Sequence, residues 1–180
     1  MKTFDEVPYK EWLSRSPFVK LMGMKLLSCQ NGKSVMWCRV RGPLKNFSGM
    51  LHGGVMGALV DVAAGVAVCS VLPFGSRITT VEYKINLFKP ISGGEITAHG
   101  SVIRLGKTIA VGSAEIWNAE GELVAFGSAT FYIFNAGEPS PEANSYPGEV
   151  SSAGSSMRSD SPGIMPSAKG RKKTKLRRES

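Results

Sequence analysis

The sequence predicts an α+β fold: a curled antiparallel β-sheet wrapped around one long central helix, followed by a disordered basic tail. Three observations predict it. Gly53–Val71 is rich in Ala, Val and Gly, lacks proline and is apolar nearly all round, as a helix buried in a core must be. Two strand-like segments precede it and four follow it. The links between these segments are short turns, which only antiparallel neighbours can use. A single helix cannot cover both faces of a sheet, so the sheet has to curl around it.

The elements follow in order. Phe4 to Leu13 reads as a short helix. Lys25–Cys29 and Lys33–Arg41 read as strands joined through Gln30-Asn31-Gly32, and the Asn-Gly pair signals a hairpin. Gly42–Leu51 is a loop with Gly-Pro near its start. The long helix then runs to Val71, and Pro73 ends it. Thr79–Phe88 alternates, with Val81, Tyr83, Ile85 and Leu87 on one face and Thr80, Glu82, Lys84 and Asn86 on the other. Pro90 and Gly93-Gly94 break it. Glu95–Leu105, Thr108–Trp117 and Glu122–Phe134 are the last three strands, turned at Gly106-Lys107 and Asn118–Gly121.

Composition shifts after Asn135. Residues 1–135 read as the folded domain and 136–180 as a tail poor in large apolar residues and rich in Pro, Ser, Gly and Glu. The tail ends in the basic run Arg171–Arg178. That run suits nucleic acid, anionic lipid or an acidic partner, but no aromatic residue interleaves, which favours a solvated tail. The net charge of +8 is basic in both parts and does not choose among such partners. Cys29, Cys38 and Cys69 form no CxxC pair, so neither a disulfide framework nor a cysteine zinc site is expected. Buried reduced thiols favour a cytoplasmic location. The opening MKTFDEVPYKEW has no signal-peptide pattern, and the run Val62–Leu72 is shorter than the roughly 20 residues a membrane span takes.

Asp61 is the most informative residue. It is the only Asp, Glu, Lys or Arg between Lys45 and Arg77, and it sits on the apolar helix. A lone carboxylate there costs several kcal/mol unless it is paired or protonated, and such acids cluster at functional sites. It suits a general base or a nucleophile. His52-Gly53-Gly54 opens the same helix, where free N–H groups can meet a polarised carbonyl oxygen. His52 and Asp61 are nine residues apart. That is roughly 13 Å of helix and half a turn out of phase, so one chain cannot bring both to one atom. A shared site needs a two-fold dimer.

The run Asn46-Phe-Ser-Gly-Met-Leu-His52-Gly53-Gly54-Val-Met-Gly-Ala-Leu-Val-Asp61 resembles the signature of hotdog-fold acyl-CoA thioesterases of the PaaI-like, 4-hydroxybenzoyl-CoA thioesterase-related group. Phe88-Lys-Pro90 and Gly106-Lys-Thr108 extend the resemblance, which covers about Ser14 to Phe134. It implies the hotdog fold, hydrolysis of an acyl- or aryl-CoA to acid and coenzyme A, and sites at dimer interfaces, with dimers free to pair into tetramers. It implies that Asp61 activates water or attacks the thioester. It gives the Gly53 N–H the role of polarising the carbonyl, Asn46 that of positioning carbonyl or water, and His52 that of supporting this end. Thr80 falls where relatives carry a hydroxyl that orients water. Arg104, Leu105, Gly106, Lys107, Thr108 and Ile109 match the segment lining the coenzyme A groove. No cofactor or metal is implied, coenzyme A being part of the substrate. Pairing Asn46 with Asp61, where other branches use Gln and Glu, leaves the nucleophilic and general-base routes both open. The alternative reading is a hotdog module that binds acyl-CoA without hydrolysis and contacts a partner through its basic tail. A hydratase ranks below both.

Other motifs fall away. Gly100 to Thr108 has five residues between its glycines where a phosphate loop has four. There is no GxSxG elbow. His99 lies in a strand pattern without partners.

Overall fold

Ser16 divides the N-terminal helical region in two. In the computed structural model, which describes residues 6–137, α1 runs over Glu6–Arg15 and α2 over Pro17–Met22. The Ser16 hydroxyl accepts the Val19 N–H, and Pro17 takes the first helical position, where its missing N–H is no loss. The helix expected to stop at Leu13 therefore reaches Arg15, and a second one follows it. The expected start at Phe4, and the tail with its Arg171–Arg178 cluster, lie outside the described residues, Ala136 and Gly137 apart.

β1 (Lys25–Gln30) and β2 (Lys33–Arg39) form the expected hairpin. Asn31 (φ 49°) and Gly32 (φ 75°) both take positive φ, as a tight hairpin turn requires. α3 spans Gly53–Cys69. β3 (Arg77–Leu87), β4 (Glu95–Leu105), β5 (Ile109–Asn118) and β6 (Leu123–Phe134) follow. All pairings are antiparallel, in the order β1-β2-β4-β5-β6-β3. β1 and β3 are thus the edges. β3 leaves one side of its backbone unpaired among the described residues and exposes Val81, Tyr83 and Leu87.

The sheet receives α3 on its inner face. Leu59, Val60, Ala63, Ala64, Ala67 and Val68 are fully buried against it. The approach is close because three adjacent strands present glycine there. A Cβ on Gly100 would overlap the Ala63 carbonyl and the Ser34 hydroxyl. One on Gly127 would lie 2.7 Å from Val60, and one on Gly112 3.1 Å from Ala64. Ser34 is buried and donates to the Ala63 carbonyl at 2.7 Å, so its polar group is satisfied. The Ser70 hydroxyl accepts from Gly32 N–H and donates to the Ala67 carbonyl, which ties the β1–β2 turn to the end of α3.

β3 departs from its expected alternation. A bulge between Thr80 and Glu82 leaves Val81 without a pairing partner on β6. Ile78 and Thr80 therefore face α3 before the bulge, and Tyr83, Ile85 and Leu87 face it afterwards. Glu82 is on the outer face, where its carboxylate accepts from the Thr130 hydroxyl at 2.9 Å. Thr80 and Glu82 do not share a face after all, because one extra residue reverses the phase.

The contact at Gly100 can be tested by adding one methyl group. Gly100→Ala is expected to cost at least about 2 kcal/mol in denaturant unfolding, as overpacking against backbone does. Gly93→Ala, which would meet nothing within 4 Å, is the control and should stay within about 0.5 kcal/mol of wild type.

Candidate active site

Asp61 projects from the third turn of α3 toward β3. Its Oδ1 accepts the Thr80 hydroxyl at 2.8 Å, a contact the β3 bulge makes possible. Behind the pair lies an apolar cavity of about 150 Å³. Val62, Gly65, Val66 and Cys69 of α3 line it with Ile78, Phe131 and Leu13. The Asp61 carboxylate is half-buried. Burial pushes its pKa above the usual carboxylate range, and the Thr80 hydrogen bond acts in the opposite sense.

The loop before α3 is held by Asn46. Its side-chain oxygen accepts the N–H groups of Ser48 (2.9 Å) and Met50 (3.1 Å), and its own N–H donates to the Met50 carbonyl. With Oδ1 engaged, the Nδ2 group is the donor that remains for another molecule. His52 is the N-cap of α3. Its Nδ1 accepts the Gly54 N–H at 2.9 Å, and its carbonyl accepts the Val55 N–H. A ring nitrogen that accepts carries no proton, so the proton of the neutral ring is on Nε2. Among the described residues, the Gly53 N–H has no acceptor.

The Arg104–Ile109 segment forms the β4–β5 turn. Gly106 N–H donates to the Ile109 carbonyl, and the Thr108 carbonyl accepts Ile133 N–H. Ala110 packs with Val68 near the C-terminal end of α3. His52 is at the other end, about 25 Å away along the helix.

The structure thus brings Asp61 and Thr80 together. Asn46, His52 and Gly53 form a second group at the helix start, and Arg104–Ile109 a third. One chain does not unite the three groups. Sequence reasoning missed the cavity behind Asp61. Gly65 and Cys69 were findable, since they follow Asp61 at steps of four and share its face. Ile78, Phe131 and Leu13 come from distant segments and carried no such signal. The three cysteines are buried, and His99 is exposed beside Thr97.

The Asp61–Thr80 bond makes a titration prediction. The Thr80 hydroxyl stabilises the charged carboxylate, so Thr80→Val should raise the Asp61 pKa further and Thr80→Ser should leave it near wild type. Carboxyl-carbon NMR of Asp61 across pH checks both.

Residues 48–125 match the family model described as the thioesterase superfamily. A Saccharolobus solfataricus protein whose esterase assignment is provisional is 30% identical over 114 residues, 63% of this chain and 81% of that one. The medium/long-chain acyl-CoA thioesterase YigI of Escherichia coli K12 is 33% identical over 97 residues, 47% of this chain and 63% of that one. Among solved structures, a thioesterase from Haemophilus influenzae superposes with a TM-score of 0.70 at 26% identity, covering 76% of this chain and 95% of that one. The phenylacetic acid degradation protein PaaI from Thermus thermophilus superposes at 0.60 with 27% identity, covering 65% and 98%. With its six-stranded antiparallel sheet curled on one central helix, the chain belongs to the thioesterase superfamily and has the hotdog fold.

Proposed function

We propose that the chain hydrolyses a coenzyme A thioester, with Asp61 of one subunit and the Gly53 end of a second acting on the same carbonyl. The observation that carries the reading is a desolvated carboxylate, oriented by Thr80, at the mouth of an apolar pocket. Oδ1 is held, and Oδ2 has no partner among the described residues. Oδ2 takes a proton from water, and the hydroxide adds to the thioester carbon. The oxyanion meets the Gly53 N–H. The C–S bond then breaks, sulfur leaves with its electron pair, and the proton on Asp61 passes to it. Direct attack by Oδ2 would give an anhydride that water hydrolyses to the same products. Either route uses the same groups and needs no cofactor.

The exposed β3 edge supports the two-subunit site. β3 pairing antiparallel with a second β3 would cover its free backbone and its exposed apolar residues. The axis of such a pair crosses the middle of the strand, near Tyr83. The Tyr83 ring packs at Gly57. Gly57 is midway between Gly53 and Asp61, so an axis at this level sets Gly53 of each subunit opposite Asp61 of the other. The Arg104–Ile109 turn supplies Arg104 and Lys107 to the coenzyme A phosphates, and Asn46 offers Nδ2 to carbonyl or water. Relatives divide between medium/long-chain acyl-CoA and phenylacetate degradation, so acyl and aryl esters are both fair substrates to try. No described helix is long and apolar enough to cross a membrane.

Thiol release from a panel of acyl- and aryl-CoAs tests the reading. Asp61→Ala should lower it by about 10²–10⁴-fold, the usual worth of a general base. Gly53→Pro removes the oxyanion donor at the first helical position, where the Leu87 methyl 2.9 Å from the added Cβ has to move aside, and should cost about 10²–10³-fold. Mixing the two inactive variants should regenerate activity, because each heterodimer holds one intact site. Heterodimers without activity would sink the shared site. Binding of the esters without release by the wild type would favour the binding module.

Removing the charge of Arg104 or Lys107 should raise KM for coenzyme A esters by about tenfold, the worth of one charged hydrogen bond. The same variants should treat the matching N-acetylcysteamine thioesters, which lack the nucleotide, as wild type does. Equal effects on both substrates would remove these residues from the nucleotide groove.

A further inference from the structure

We propose that Leu13, delivered by α1, is the end wall of the acyl pocket and sets the length of acyl chain the site accepts. The inference rests on the hydrolase reading and adds a substrate class to it: short acyl groups.

The pocket behind Asp61 follows one stripe of α3, through Gly65 to Cys69. Ile78 and Phe131 close its sheet side, and Leu13 closes it against α1. Leu13 is only 6% exposed. A second cavity, of about 180 Å³, lies on the other side of this residue, between α1, α2 and β1. Val19, Met24 and Leu26 line it together with Lys10, Ser14 and Lys25, and with Leu13 again. Leu13 is the only described residue that lines both cavities, so its isobutyl group is the partition.

Volume turns the partition into a ruler. The first pocket has room for a short run of methylenes beyond the carbonyl, and the second offers comparable room on the far side of Leu13. The wild type should therefore prefer short acyl esters. Gly65 permits this pocket to exist: a Cβ there would fall 3.3 Å from both Ile78 and Phe131.

The test is the chain-length profile of thiol release on straight acyl-CoAs from butyryl to palmitoyl. Each methylene that finds apolar room should raise kcat/KM about fourfold. For the wild type, kcat/KM should climb to about hexanoyl and then fall. Leu13→Ala joins the cavities and should raise the decanoyl-to-butyryl ratio at least tenfold, and Leu13→Phe should lower the hexanoyl-to-butyryl ratio. These ratios are internal to one preparation, so partial unfolding of a variant cancels. Leu13→Met, which conserves volume but bends freely, should fall between wild type and Leu13→Ala. A wild-type optimum at dodecanoyl or longer, or unmoved ratios in the Ala and Phe variants, would overturn the proposal. If the wild type releases thiol from none of the esters, calorimetric binding of the same series separates the two ideas. A length preference that shifts in Leu13→Ala upholds the wall and overturns only the hydrolase. An unshifted preference, or no binding, overturns the wall as well.

Discussion

α3 lies so close to β4, β5 and β6 that a Cβ at Gly100 or Gly127 would overlap its neighbours and one at Gly112 would crowd Ala64 at 3.1 Å. The helix backbone itself becomes part of the core, and the Ser34 hydroxyl reaches the Ala63 carbonyl directly. This contact fixes the rotation of α3 about its axis. With Ala63 and Ala64 facing the glycines, Asp61 has to face β3. The apolar circumference of α3 would otherwise allow several rotations at similar cost, because a helix apolar all round carries little directional preference. Steric exclusion at three glycines selects one of them and so aims the single charge.

The β3 bulge completes that aim. An unbroken strand would present Val81, Tyr83, Ile85 and Leu87 to the helix and turn Thr80 away. One extra residue puts Thr80 on the inner face at the level of Asp61 and returns Tyr83 to the inner face beyond it. The same irregularity thus keeps the strand apolar toward α3 and grants the carboxylate its only described hydrogen-bond donor. A second local device acts at the start of α3. His52 takes up the Gly54 N–H, and Asn46 locks the preceding loop, while the Gly53 N–H has no acceptor among the described residues.

Much of this was legible in the residues. The buried helix showed in its unbroken apolar run, the β1–β2 turn in Asn31-Gly32, and Asp61 in its isolation. These signals are local: each depends on residues within one element. The bulge was not legible, because the even alternation of Thr79–Phe88 fits a regular strand equally well, and only the pairing with β6 reveals the extra residue. α2 was missed although Ser16-Pro17 marks its start, since six residues give no periodicity to recognise. The cavity behind Asp61 depends on Leu13, Ile78 and Phe131 meeting across the fold, and no spacing along the chain encodes that meeting. The resemblance supplied roles for Asn46, His52 and Thr80, and the structure supplied their hydrogen bonds.

The unpaired edge of β3 has a consequence for how such a protein is governed. Under the proposed two-subunit site, turnover is tied to mass action. At chain concentrations well below the dissociation constant of the pair, specific activity falls in proportion to concentration. Doubling the number of chains then quadruples the output until the pairs saturate. On that reading abundance itself grades the output more steeply than in proportion, without an effector or a second binding site.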